Sequence, residues 1–143
     1  MSFDDGLEQD KQIIEILRKY GLQAAFNLNA GLFGSKNMIG RIGNYGVRCV
    51  KESKDSFWMK YCHSNRIPED EIKQVYQGFE IASHSFQHEN FKKIDSNMIE
   101  DSLRQDVSRL SDIAGYKIAG HAYPSGAMSD EAVSCLMKLN VES

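Results

Sequence analysis

Two histidines with a four-residue spacing are the most suggestive residues for chemistry in this sequence of 143 residues. They are His84 and His88, in the segment HSFQH. On a helical turn this spacing places both imidazoles on one side, where they can share one metal ion. The alternative is that two of the four histidines lie on the surface at this spacing by chance. The pair alone indicates a metal site without excluding a surface pair.

Two adjacent carboxylates, Asp4 and Asp5, form a second candidate cluster, and Gly6 follows them. Neighbouring side chains of a strand point to opposite faces, but a backbone bend at the strand end would let both reach one pocket. The alternative is a helix-capping aspartate beside a solvated one. One aspartate with two histidines is a suitable three-ligand set for a catalytic divalent metal with an open position.

The elements predicted from hydrophobic spacing explain how these clusters could meet. Strands are predicted over residues 1–5, 23–29, 79–83 and 117–123, with another beginning at Val141. Helices are predicted over residues 8–20, 68–77, 96–114 and 130–139. This alternation predicts an α/β fold with parallel strands and right-handed crossovers. Because active sites of such folds lie at the carboxyl ends of the strands, we expect the aspartates, His84 and the segment 123–126 (YPSG) on one rim.

One segment interrupts this alternation. Residues 30–54 contain five glycines interspersed with β-branched residues. Asn44 and the neighbouring glycines could turn a short hairpin. We therefore expect a β-hairpin-like insertion near residues 38–53.

Composition narrows the class of protein. The chain has 17 basic and 20 acidic residues, a net charge of −3 and 41% hydrophobic residues. This balance argues against a nucleic-acid-binding protein, and no apolar run is long enough to span a membrane. The start does not resemble a signal peptide. Because any signal peptide would precede this segment, a cytoplasmic and an exported location are both open. The three cysteines, Cys49, Cys62 and Cys135, form no metal-binding motif and are expected to be reduced, with a disulfide between two of them as the alternative.

The segments MSFDDG, HSFQH and AYPSG, in this order, resemble the first three motifs of the polysaccharide deacetylase family, carbohydrate esterase family four. The segment around Asn27-Leu28-Asn29 is similar to the second strand of that family. The resemblance extends over residues 1–143 as a single domain and implies a partial, distorted (β/α) barrel with parallel strands, truncated at both ends.

The resemblance implies a role for each residue of the first two motifs. Asp4 matches the catalytic base, and Asp5, His84 and His88 match the metal ligands. The metal is expected to be zinc, with cobalt or nickel as alternatives. Ser85 matches a residue that supports the histidine loop.

The third motif implies a substrate-facing loop of Tyr123, Pro124 and Ser125, in which the backbone N–H of Ser125 would hold the reaction's oxyanion. Two features depart from the family. Ala122 stands where many members have an arginine that pairs with the base. The histidine that acts as general acid in a late motif has no counterpart in this sequence. His121 is expected to face a neighbouring helix or solvent rather than to replace that acid.

These inferences predict a metal-dependent hydrolase that removes acetyl groups, chiefly N-acetyl groups, from a carbohydrate. The alternative is a non-catalytic metal- or glycan-binding remnant of a deacetylase. The expected partners are an acetylated carbohydrate and a second copy of the chain, which would pair through open sheet edges. No nucleic-acid or membrane partner is expected.

Overall fold

A computed structural model describes residues 1–36 and 65–143. Three strands, β1 (Ser2–Asp4), β2 (Ala25–Leu28) and β3 (Glu80–Ser83), form a parallel sheet in the order β1-β2-β3. The predicted α/β fold with parallel strands is therefore confirmed. The predicted insertion near residues 38–53 lies outside the described residues.

Four α-helices of the described part of the chain connect and flank the strands: α1 (Asp10–Tyr20), α2 (Glu69–Val75), α3 (Ser96–Ala114) and α4 (Asp130–Leu139). Local signals set their ends. Gly21 and Gly115 end α1 and α3 in the left-handed conformation, which glycine adopts without steric cost. The side chains of Asp95 and Ser129 accept hydrogen bonds from the first turns of α3 and α4, as capping residues do.

The strand predicted over residues 117–123 is reduced to isolated bridges. His121 bridges Ser83 of β3, and Gly120 bridges Glu142, both in parallel. The strand expected from Val141 is likewise represented by the single bridge at Glu142. Neither pairing extends into a continuous ladder. On one side β3 ends at Ser83, and on the other side of residues 120–121 the pairing is the single bridge to Glu142. The chain path nevertheless continues the sheet beyond β3, as expected for successive parallel units.

The core packs against the face of the sheet that carries the register partners Phe3, Phe26 and Ile81. Its largest fully buried side chains are Tyr76, Phe26, Phe91, Ile14, Leu28, Ile67, Ile72, Ile99, Leu103, Leu110, Ile118 and Leu136. Within the described residues, no helix has the length and apolar character needed to cross a membrane. Cys135 of α4 is buried, whereas Cys49 and Cys62 lie outside the described residues. Pairing of the sheet edges with a second copy stays a prediction.

A carboxyl group is buried at the start of α1. Asp10, at the start of α1, is 3% exposed, and its Oδ2 accepts a hydrogen bond of 2.7 Å from the Tyr76 hydroxyl. Burial raises the pKa of Asp10 to about 6, against the opposing effect of the Tyr76 hydrogen bond. The same burial, with Asp10 beside it, raises the pKa of Tyr76.

This burial predicts a pH-dependent stability. Between pH ~4 and ~6 the folded protein keeps a proton on Asp10 that the unfolded chain has lost, so the contribution of Asp10 falls as pH rises through this window. Asp10→Asn keeps an acceptor for Tyr76 but has no proton to lose. The change in the free energy of unfolding from pH 4 to pH 7 should therefore be about 1–3 kcal/mol more favourable to the folded state in Asp10→Asn than in wild type. Urea unfolding at both pH values measures the difference. Asp112→Asn, at an exposed position, is the control, and parallel pH dependence in wild type and Asp10→Asn would contradict the assignment.

Candidate metal centre

The two aspartates separate at the end of β1 because the backbone changes conformation between them. Asp4 is the last strand residue and pairs with Asn27 of β2. Asp5 follows with a positive φ of 84°, and its N–H donates to Asn27 O at 2.9 Å. The left-handed turn at Asp5 removes the alternation of a strand and lets both carboxylates lie at the carboxyl end of the sheet.

The two histidines are brought together by a turn rather than by a helix, which corrects the helical geometry assumed from their spacing. The loop leaves β3 at Ser83 and reverses through left-handed residues at Ser85 (φ 61°) and His88 (φ 58°). The ring centroids of His84 and His88 lie 5.1 Å apart at an interplanar angle of 70°. The four-residue spacing therefore does place both imidazoles side by side, by a different local conformation.

Asp5, His84 and His88 form a compact cluster of possible metal ligands. One donor atom from each lies within 4.8 Å of the others, and no other such group occurs in the described ranges 1–36 and 65–143. Asp5 Oδ1 and His88 Nε2 are 3.6 Å apart. Two ligands at ~2.1 Å from one tetrahedral zinc ion would be separated by about 3.4 Å. The donor types and spacing fit a divalent metal.

The protein fixes the chemical form of His84. Its Nδ1 lies 2.8 Å from the carbonyl oxygen of Ala122, and a carbonyl only accepts, so Nδ1 carries the hydrogen. Burial lowers the pKa of His84, although the carbonyl of Ala122 opposes this effect. A neutral imidazole protonated at Nδ1 presents the lone pair of Nε2, which is the form that binds a metal.

Close packing against the end of β2 supports the histidine loop. Gly31 N donates to Phe86 O at 2.8 Å, and a Cβ at Gly31 would lie only 2.5 Å from that oxygen. On the α3 side, Ser102 Oγ accepts from Phe86 N and donates to Glu89 Oε2, both at 3.0 Å. The loop is thus held from both sides by the elements that flank it.

A fully buried carboxylate on α3 joins the ends of β2 and β3. Asp106 Oδ1 accepts from Ala30 N at 2.7 Å, and Oδ2 accepts from Ser83 Oγ at 2.7 Å and from His84 N at 3.2 Å. Burial raises the pKa of Asp106 to about 7, while these three donors oppose the rise. The sequence analysis did not single out Asp106. Its position between Leu103 and Val107, within the apolar stripe of α3, is the sequence feature that could have indicated a buried carboxylate.

Arg66 and Asn29 form a further connection that sequence reasoning missed. Arg66 NH1 donates to Asp5 O at 2.6 Å and to Asn29 Oδ1 at 2.7 Å. Asn29 Nδ2 donates to the carbonyl oxygens of His84 and Ser85, the latter at 2.9 Å. The sequence placed Asn29 only in the segment similar to the family's second strand, and no motif marked Arg66.

The third motif lies beside the histidine loop. Ala122 N donates to Ser83 O at 2.9 Å, and its carbonyl binds His84, so Tyr123, Pro124 and Ser125 follow directly from the site. Ser125 is exposed and has a positive φ of 55°.

His121 was expected to face a neighbouring helix or solvent, and its burial excludes solvent. It is buried, with Nδ1 3.0 Å from Ser83 Oγ and its ring near Phe91 and Tyr123. Burial lowers its pKa to about 3. A histidine with a pKa this low carries little proton to donate near neutral pH.

The close approach at Gly31 predicts a steric effect of Gly31→Ala. The new methyl group would collide with Phe86 O and its ring, so the histidine loop must shift, at a cost of about 1–3 kcal/mol in the free energy of unfolding. Denaturant unfolding and the imidazole NMR signals of His84 and His88 measure both effects. Gly21→Ala is the control for the imidazole signals, because its Cβ meets nothing within 4 Å, whereas its φ of 62° makes the substitution itself destabilising. Unchanged imidazole signals in Gly31→Ala would show that the contact does not set the loop.

Solved structures of longer proteins share this fold. A deacetylase of Streptococcus pyogenes, solved with acetate, is 18% identical with a TM-score of 0.71, over 97% of this chain and 51% of that one. A CE4 family pseudoenzyme of Bacillus anthracis is 20% identical with a TM-score of 0.64, over 99% of this chain and 40% of that one. A family 4 carbohydrate esterase of Streptomyces lividans, solved with acetate, is 14% identical with a TM-score of 0.65, over 99% of this chain and 58% of that one. At these identities the likeness concerns the fold, and the chain spans about half the length of these neighbours.

The sequence comparison identifies the family directly. No curated protein sequence matches the chain. The sequence model of the family described as "Polysaccharide deacetylase" matches residues 1–143, the whole of this sequence. The match agrees with the motif order, the parallel fold and the cluster at the carboxyl ends of its strands. The chain belongs to the polysaccharide deacetylase family.

Proposed function

We propose that the chain carries the metal-binding half of a carbohydrate deacetylase. In this proposal Asp5, His84 and His88 hold a divalent metal, and zinc is the preferred candidate. The observation that carries this proposal is the convergence of their donor atoms within 4.8 Å, with His84 held neutral and its Nδ1 engaged by Ala122 O. When bound, the metal would polarise an acetyl carbonyl and lower the pKa of a water molecule.

Asp4 is the proposed general base. Asn27 Nδ2 donates to Asp4 Oδ1 at 2.6 Å, which orients the carboxylate and leaves Oδ2 to accept the proton of an attacking water. The side chain of Asp4 is exposed, so substrate can reach it. Its negative charge lies close enough to act on the pKa of His84, which supports its position at the edge of the cluster.

The third motif is the proposed substrate-facing loop. The backbone N–H of Ser125 would stabilise the oxyanion, a role that depends on the backbone and not on the side chain. Tyr123 and Pro124 would line the same side. The exposure of Ser125 and its direct connection to Ala122, which binds His84, support this role.

The alternative is a non-catalytic metal- or glycan-binding domain. Ala122 occupies the place of an arginine that many family members use to hold the base, and one structural neighbour is a pseudoenzyme, of which another structure describes a mutant with restored activity. In the present chain the amide of Asn27 contacts the base carboxylate. This contact favours the catalytic proposal, because the carboxylate remains oriented without the arginine.

Two substitutions separate metal binding from catalysis. His88→Ala removes a ligand and should weaken zinc binding at least ~100-fold, with loss of activity. Asp4→Asn should bind zinc as wild type does but release acetate from an N-acetylglucosamine oligosaccharide at least ~100-fold more slowly. Zinc competition with a chromogenic chelator and an acetate assay give the two readouts. Stoichiometric zinc without acetate release by wild type would favour the alternative, and the absence of zinc binding would refute the metal site.

Asn27 should matter for turnover and not for metal binding. Asn27→Leu keeps a similar volume but removes the donor to Asp4, so kcat should fall about 10-fold, equivalent to about 1.4 kcal/mol, with zinc affinity unchanged. Asn27→Gln is the conservative variant, because it keeps an amide donor. Its kcat should lie between that of Asn27→Leu and that of wild type. Wild-type kcat in Asn27→Leu would show that Asp4 needs no partner on β2.

A further inference from the structure

A single guanidinium group contacts the main chain and the side chain of the proposed metal ligand Asp5. Arg66 NH1 makes its short contacts with Asp5 O (2.6 Å) and Asn29 Oδ1 (2.7 Å), whereas NH1 and NH2 both lie 3.3 Å from Asp5 Oδ1. The side chain of Arg66 is only 11% exposed. The shorter distances to neutral oxygens indicate that the guanidinium does more than balance the charge of a carboxylate.

Asn29 extends this contact to the histidine loop. It is fully buried at the end of β2, and its amide nitrogen donates to the carbonyl oxygens of both His84 and Ser85. Because a donating Nδ2 leaves only Oδ1 to accept, Arg66 completes the hydrogen bonding of this buried amide. One continuous path therefore runs from Asp5 at the end of β1, through Arg66 and Asn29, to His84 at the end of β3.

The backbone of Arg66 is itself fixed on two sides. Its N–H donates to Ser35 O at 2.9 Å, and the N–H of the next residue, Ile67, donates to Gly6 O at 2.9 Å. Leu7 and Arg66 form an antiparallel bridge. The guanidinium therefore extends from a defined position and can act as a rigid connection.

The path contacts residues whose backbone conformations are unfavourable in isolation. Asp5 and Ser85 have positive φ values of 84° and 61°. Such conformations are unfavourable for residues other than glycine and persist where the surroundings determine them. The carbonyl oxygens of both residues accept hydrogen bonds from this path, which would hold the two ligand segments in their strained form.

We propose that Arg66 and Asn29 are positioning residues that set the approach of Asp5 to His84 before a metal binds. This role rests on the proposed metal centre. A positioning role and a purely electrostatic role predict opposite changes in metal affinity when the charge of Arg66 is removed. A guanidinium beside a divalent cation repels it, so a variant without the charge would bind metal more tightly if charge were the main effect. If positioning dominates, the same variant binds metal more weakly.

The test compares Arg66→Met with wild type and with Arg109→Met, a control that removes an arginine paired with Glu69 on the surface. Arg66→Met should weaken zinc binding about 10–100-fold, the size of effect known for groups that orient metal ligands, and Arg109→Met should not change it. The visible absorption spectrum of the cobalt-loaded protein should also change for Arg66→Met alone, because ligand geometry alters. Zinc affinity equal to or above that of wild type in Arg66→Met would overturn the proposal.

A second measurement on metal-free protein keeps the two proposals separable. The side-chain amide protons of Asn29, buried in wild type, should exchange slowly by NMR in wild type and Arg109→Met and rapidly in Arg66→Met, with the overall fold retained. Slow exchange lost in Arg66→Met, but no zinc bound by wild type, would refute the metal centre and leave only the ordering of Asn29 by Arg66. Zinc bound by wild type and Arg66→Met alike, with Asn29 exchange unchanged, would refute the positioning role and uphold the metal centre.

Discussion

The site depends on one buried carboxylate. Asp106, in the middle of α3, receives hydrogen bonds from Ala30 beyond β2 and from Ser83 and His84 at the end of β3. An ionised carboxylate in this environment costs free energy of desolvation, which only well-placed donors offset. The three donors therefore require that α3 and both strand ends occupy one arrangement, and this arrangement puts the histidine loop beside β2.

The remaining polar contacts build outward from that arrangement. Asn29 and Arg66 connect the histidine loop to Asp5, and the carbonyl of Ala122 selects the form of His84 that offers Nε2. Among the described residues, five other than glycine have positive φ, and four of them are in the three motifs: Asp5, Ser85, His88 and Ser125. Backbone strain thus concentrates where side chains must converge, as is common at functional sites.

The same contacts bear on the missing arginine of the third motif. The structure distributes polar contacts over the two aspartates: Asn27 contacts Asp4, and Arg66 contacts Asp5. The cation is thereby beside the proposed metal ligand and a neutral amide is on the proposed base. An amide donor orients a carboxylate without the full charge stabilisation that a guanidinium gives it.

Local sequence signals were sufficient for the order and type of the main elements and for the motifs that contain Asp5, His84 and His88. These follow from hydrophobic spacing, turn chemistry and ligand type, which act over a few residues. The strand expected over 117–123 was wrong in extent, because a ladder needs neighbours of matching length. Tertiary structure alone decided the roles of Arg66 and Asp106, which bind residues 61 and 76 positions away. Hydrogen bonds across such separations depend on strand register and helix packing, and no local pattern specifies them.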